Sequence, residues 1–356
     1  MRSADKKAVA IAVQANVPIL LWGTPGIGKT SFVYSLGRAL GVNVHVIIAS
    51  LRDPADFLGL PYKENNVTRY APPAWAVEIK EGDIVFFDEI NTAPPAVQAA
   101  LLRVVLEKVV GEYKLPDGVR FIAAANPPEF AAAYGDLGSA LANRFVHLNV
   151  AADAEEFVIG FTKGWDDEKI LKEVLAKNTP NVAEAKAMVA AFIAAKPELL
   201  NKPVPGALAY PTPRSWEFVA KVVAVVEATN LKRNEKINVL QRLVEGAVGP
   251  GAAAEFVAWY EAKDLIEPKD LLEDPAKHKE KIAGMRQDQM YSIVTGVAAH
   301  VAAHMSEETW QKFWKVIEVL AGVVPKDILA IAVRIVAKAA PDYDVPDIVE
   351  IFADLL

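Results

Sequence analysis

Gly23-Thr24-Pro25-Gly26-Ile27-Gly28-Lys29-Thr30 is the stretch on which the reading of this chain turns. A short apolar run, Pro18 to Trp22, comes before it and reads as a buried strand. After it, Phe32, Val33, Leu36 and Leu40 fall at helical spacing and stop at Gly41. The octet fits the pattern GxxxxGK[ST] in its confirming context, strand before and helix after. Glycines in such a turn let backbone N–H groups wrap phosphate oxygens, and the helix N-terminus adds the positive end of its dipole. Lys29 then reaches the β- and γ-phosphates, and the Thr30 hydroxyl suits Mg²⁺. Gly23, Thr24, Pro25, Gly26, Ile27, Gly28, Lys29 and Thr30 are therefore the candidate nucleotide-binding residues.

Working outward, β-branched residues over 42–49 predict a second buried strand, and 84–87, 119–125 and 145–150 predict three more. Helices are expected between them, at 30–40 and, after Pro94-Pro95, at 97–107. Strands alternating with helices imply a parallel sheet covered on both faces. Two stretches break the alternation. Gly59 to Tyr70 reads as a hairpin around Asn65-Asn66, and Val109 to Gly118 as a second hairpin running into the fourth strand. Beyond residue 151 the strand signals stop. Helices are expected near 153–160, 166–177, 181–195, 213–229 and 234–245, with a break at Gly249-Pro250-Gly251 and helix again to Leu356.

The strand Ile84 to Phe87 ends in Asp88-Glu89. An aspartate there can hold Mg²⁺ with Thr30, and the glutamate can polarise an attacking water. The interval after Lys29 leaves room for one helix and one strand, which suits neighbouring strands. Asn126, before Pro127-Pro128, puts an amide at the end of another strand.

With these residues in view, the chain resembles AAA+ ATPases, and within them the MoxR-like and midasin-like branch. The resemblance rests on Phe87-Asp88-Glu89-Ile90-Asn91, Ala93-Pro94-Pro95, Gln98, Ala100-Leu101-Leu102 and Glu107, on Leu141-Ala142-Asn143-Arg144-Phe145, and on Thr212-Pro213-Arg214-Ser215. It covers residues 1 to about 245. Thr92 stands where the family usually has arginine, and Thr212 where it has serine. The resemblance implies Glu89 as catalytic glutamate and Asn126 as the sensor 1 amide. It makes Arg144 a finger on the neighbouring subunit's nucleotide and Arg214 the sensor 2 residue in cis. It further implies ATP with Mg²⁺, the metal on Thr30 and Asp88, in a ring that is hexameric in the family. The expected partner is a protein client, such as one carrying a von Willebrand A domain. The expected architecture is an α/β P-loop NTPase domain with two hairpin inserts (1–151), a helical lid (152–248) and an all-helical extension (249–356). The rival readings are a nucleotide-driven DNA motor like McrB-type restriction subunits, and a nucleotide-dependent scaffold that does not hydrolyse.

Composition narrows the field. The chain has 356 residues, 53% hydrophobic and 23% charged, which excludes a disordered chain. No cysteine is present, so disulfides, thiolate metal sites and a cysteine nucleophile are out. A net charge of −7 disfavours a nucleic-acid partner. No signal peptide or membrane span is read, so a cytoplasmic protein without membrane contact is expected. His300 and His304 have the i,i+4 spacing of a zinc pair, but no third ligand is apparent and a metal is not expected there. Trp310 and Trp314 are read as core, and Lys277 to Lys281 as a solvated helix face.

Overall fold

The structure, a computed structural model, describes residues 1–130, 137–165, 167–263, 265–340, 343 and 346–352. It falls into two compact units: Met1–Pro180 with Pro203–Tyr210 and Lys221–Gly249, and Asn181–Lys202 with Pro211–Ala220 and Pro250–Leu356.

The first unit is built on strands β1 (Ile19–Trp22), β2 (Val44–Ile48), β5 (Ile84–Asp88), β8 (Arg120–Ala125) and β9 (Val146–Asn149). They form one parallel sheet in the order β2-β5-β8-β1-β9. The crossing helices include Lys29–Leu40 and Pro95–Glu107, the latter started by Pro95, whose missing N–H is not needed there. Phe87 and Phe121 stack at 5.9 Å under the sheet, with Phe57 edge-on to Phe87 at 6.1 Å, and this aromatic core holds the strand ends in register.

Two expectations are corrected here. The strand ending in Asp88 does not neighbour the strand before the glycine loop: β8 lies between them. The later strand is inserted centrally, an order that linear spacing cannot reveal. The stretch 42–49 is not a buried strand. β2 is the sheet edge, and of its residues only Ile47 is fully covered, because one flank has no neighbouring strand. One helix was not among those expected, Ser3–Gln14. Ala8 to Val13 are buried without a break, so no polar face marks the 3.6-residue period. Its buried Asp5 binds Arg2 at 2.9 Å and Arg242 at 2.7 Å, and Lys6 binds Glu156 and Asp167, each at 2.9 Å.

Both hairpins are present. β3 (Leu60–Glu64) and β4 (Val67–Ala71) are joined by Asn65 and Asn66, whose φ values of 49° and 62° are left-handed, a conformation asparagine tolerates. β6 (Val109–Val110) and β7 (Tyr113–Lys114) form the second. The two lie together: Arg69 reaches Glu112 at 3.5 Å, and a Cβ on Gly111 would stand 2.6 Å from the Leu58 carbonyl oxygen. The helix Arg233–Val248 passes so close to β9 that a Cβ on Gly246 would lie 1.9 Å from the His147 carbonyl oxygen.

The second unit is helical. Phe192, Trp216, Phe256 and Trp259 pack as one aromatic cluster, with the Trp216 indole donating to the Leu199 carbonyl at 2.7 Å. Helices Gln287–Ala303, Glu307–Leu320 and Lys326–Ala339 share a second core that includes Trp310 and Trp314. Lys277 to Lys281 lie along the helix Pro275–Ala283, whose lysines are exposed. Glu184 stands beside His300 and His304, so a third potential ligand does exist. Tertiary folding brings it there from a distant helix. No helix among the described residues is long and apolar enough to cross a membrane.

Candidate nucleotide site

Parallel sheets collect ligands at the carboxyl ends of their strands. At those ends β1 runs into the glycine loop, β5 into Asp88-Glu89, β8 into Asn126 and β2 toward Ser50. The loop is shaped by Gly26 (φ 82°) and Gly28 (φ 91°), which turn left-handed where a side chain would be strained. Gly28 caps the helix Lys29–Leu40 without offering it a side chain, so the first-turn N–H groups have no side-chain acceptor. That is the condition under which a helix start receives an anion.

Lys29 is buried to 8% exposure and turned back on the loop. Its ammonium donates to the Gly23 carbonyl at 2.6 Å, the Thr24 carbonyl at 3.3 Å and Asn126 Oδ1 at 3.3 Å. Burial pulls its pKa below the ordinary lysine value, against the opposing charges of Asp88 and Glu89. The inserted strand thus has a chemical consequence: β8 carries Asn126 between the lysine and the acidic pair. Thr30 Oγ1 donates to Asp88 Oδ2 at 3.1 Å, placing two hard oxygen donors side by side. Asp88 Oδ1 accepts from the Glu89 N–H at 3.0 Å. Glu89 itself adopts a left-handed φ of 56°, and its exposed carboxylate accepts from Ser50 Oγ at 2.6 Å. A non-glycine residue held there is strained, and such strain gathers at working sites.

Two residues of this cluster were not singled out as candidates. Asn91, with 0% exposure, donates from Nδ2 to the Asn126 carbonyl at 2.9 Å and accepts from the Asn126 N–H at 3.3 Å. Ser50 holds Glu89 from the neighbouring strand. Their positions just beyond parallel strands were the available signal. Thr92, standing in place of arginine, donates from Oγ1 to the Glu89 carbonyl at 3.0 Å and closes that turn.

Beside the loop lies a cavity of about 820 Å³, whose wall includes Ile27, Tyr34, Arg38, Phe157 and Trp165. Its aromatic surfaces suit a planar base.

Arg144 precedes β9, which runs parallel to β1 with Val146 opposite Ile19. It therefore sits at the strand end away from the loop, its guanidinium donating to the Ala140 carbonyl. Arg214 belongs to the second unit, half-buried in the first turn of the helix Pro213–Ala228. That turn is locked by a reciprocal cap: the Ser215 N–H donates to Thr212 Oγ1 at 3.1 Å and the Thr212 N–H to Ser215 Oγ at 2.8 Å. Threonine thus does here what a serine hydroxyl would.

Residues 18–145 match the AAA domain (dynein-related subfamily). Protein MoxR of Methylorubrum extorquens is 24% identical over 294 residues, 74% of this chain and 78% of that protein. Midasin of Giardia intestinalis is 27% identical over 150 residues, 40% of this chain but only 3% of that protein. The Holliday junction branch migration complex subunit RuvB of an Anaeromyxobacter species is 38% identical over 96 residues, 27% of this chain and 24% of that protein.

Proposed function

We propose, from the premise that the chain is an AAA+ protein of the MoxR-like and midasin-like type, that it hydrolyses ATP with Mg²⁺ in a ring of identical subunits and so remodels or matures a protein partner. The observation that carries the reading is the gathering of Lys29, Thr30, Asp88, Glu89 and Asn126 at the carboxyl ends of the strands, beside a helix start with no side-chain cap.

Magnesium prefers a few carboxylate and hydroxyl oxygens plus phosphate oxygens and water, and the Thr30–Asp88 pair fits that preference. Bound there, the ion would neutralise phosphate charge. The chain's own residues do the rest. The loop N–H groups hold the phosphates. Lys29 is already largely desolvated, so exchanging carbonyl partners for γ-phosphate oxygens costs little more burial. Glu89 accepts a proton from the attacking water, which Asn126 helps to orient. The water oxygen bonds to the γ-phosphorus as that phosphorus separates from the bridging oxygen, giving ADP and phosphate. The base takes the aromatic cavity beside Ile27, Tyr34 and Trp165. Arg214 is the cis sensor of the γ-phosphate. Arg144, a strand's length from its own loop, acts on the nucleotide of the next subunit, where such a finger is worth about 10³–10⁵ in rate.

A protein partner is favoured by the first hairpin, which exposes Leu60 (65%), Val67 (53%) and Tyr62 (46%). A von Willebrand A-domain protein is the specific partner proposed, by resemblance. Against a DNA track, the second hairpin carries no basic stripe, and its Glu112 faces Arg69.

Subunit mixing tests the assembly. Arg144→Ala and Glu89→Gln proteins, each impaired alone, should regain ATP turnover when mixed, because an Arg144→Ala subunit keeps its own Glu89 and borrows a neighbour's arginine. Mixtures no faster than the average of the two parents would contradict the trans assignment. ATP-bound Glu89→Gln protein, used as bait, should retain the partner. Retention that is the same without ATP would count against a nucleotide-driven client.

A further inference from the structure

His300 and His304 lie one turn apart at the end of the helix Gln287–Ala303, their rings 4.4 Å apart. Glu184, in the first turn of the helix Val182–Ala195, faces them. One ligand atom from each of the three residues falls within 4.8 Å of the other two. We infer that Glu184, His300 and His304 form a binding site for a divalent transition-metal ion of the zinc class.

The distances favour a shared ion over a closed pair. His300 Nδ1 and Glu184 Oε1 are 3.8 Å apart, beyond a hydrogen bond. Ligand atoms around a tetrahedral zinc, with bonds of about 2.0–2.2 Å, lie about 3.4 Å from one another. This pair needs to close by only about 0.4 Å, within the reach of side-chain rotation.

Two of the three ligands are also oriented from behind, as metal ligands often are. Asn181 Nδ2 donates to Glu184 Oε2 at 3.1 Å, which leaves Oε1 toward His300. His304 Nδ1 meets the His300 carbonyl at 3.0 Å. In the neutral ring that nitrogen is the donor, and Nε2 keeps the lone pair. The His300 and Glu184 side chains are 13% and 33% exposed, and His304 is open to solvent, so water can complete the shell. The ion would tie two helices of the second unit that converge only in the fold.

The surrounding charges set the affinity. The Lys263 ammonium is among the charges acting on the Glu184 carboxylate. The Lys263 charge opposes a cation, so the affinity is moderate. Metal binds the neutral imidazoles, so protons compete with the ion for both rings.

The site lies in the second unit and does not depend on nucleotide chemistry. Its test is titration of chelator-treated full-length protein with Co²⁺, followed by visible absorption. Wild type should bind with a tetrahedral d–d band that Zn²⁺ abolishes, and Zn²⁺ should raise its melting temperature. Glu184→Gln should bind at least tenfold more weakly, and His304→Ala should lose both the band and the Zn²⁺ effect. His304 is exposed, so that variant keeps the test valid if His300→Ala fails to fold. No band in wild type, or an undiminished band in His304→Ala, would overturn the site.

Discussion

Asn91→Ala is the most informative single substitution in the nucleotide unit. The β5–β8 ladder stops at Phe87 opposite Ala123, and beyond it the Asn126 N–H and carbonyl are bonded by the Asn91 amide, at 3.3 and 2.9 Å. Alanine removes both bonds at a position with 0% exposure. Two backbone groups left short of partners cost about 1–3 kcal/mol each, and partial rehydration brings the expected loss to about 2–4 kcal/mol. The functional effect follows from geometry. Asn126 Oδ1 lies 3.3 Å from Lys29 Nζ, and a shift of about 1 Å at such a group can cost 10²-fold in rate. Urea unfolding should show the stability loss. Steady-state hydrolysis should show kcat down about 10–100-fold with KM for ATP less affected, because the glycine loop is untouched. If Asn91 acts through Asn126, the double variant with Asn126→Ala should turn over no more slowly than Asn126→Ala alone. A stability change under about 0.5 kcal/mol, an unchanged kcat, or additive losses in the double variant would refute the reasoning.

Two further outcomes follow from the packing around β9. The buried His147 ring accepts from the Trp22 indole at 2.9 Å and meets the Ala142 carbonyl at 2.9 Å, and burial pushes its pKa down to about 4. Above about pH 6.5 the ring is neutral both folded and unfolded; between 6.5 and about 4 only the unfolded chain takes the proton, so stability falls with pH by about 3 kcal/mol in total. Wild type should lose about 2 kcal/mol more than His147→Gln between pH 7 and 5 in urea unfolding, and equal losses would count against it. Gly246→Ala sets a helix-propensity gain of about 1 kcal/mol against a Cβ 1.9 Å from a backbone oxygen. The clash should win, with a net loss of about 2 kcal/mol or more by the same measurement; a neutral or stabilised variant would contradict the close approach.

Local chemistry made some features readable, and tertiary order hid others. The glycine loop could be read because only glycine takes its backbone turns easily, and because a lysine and a hydroxyl stand at fixed offsets from it. Asn65-Asn66 was readable for the same conformational reason. Strand ends showed where Asp88, Glu89 and Asn126 would emerge. Strand order did not show, because β8 slips between β1 and β5 from far along the chain. The same holds for Ser50 reaching Glu89 and for Glu184 meeting His300, contacts between residues that carry no mutual signal in sequence. The helix Ser3–Gln14 was missed because complete burial of Ala8 to Val13 erases the amphipathic period, leaving its charged residues to buried ion pairs that only the fold reveals.

The central claim is that the carboxyl end of this sheet hydrolyses a nucleotide rather than merely holding one. The direct measurement is Mg²⁺-ATP binding and turnover side by side for wild type, Lys29→Ala and Glu89→Gln. The account predicts that Lys29→Ala loses binding, whereas Glu89→Gln binds ATP within about threefold of wild type and loses turnover by about 10²-fold or more, as expected on removing the group that takes the water proton. Comparable turnover in wild type and Glu89→Gln would contradict it and leave a nucleotide-dependent scaffold in its place.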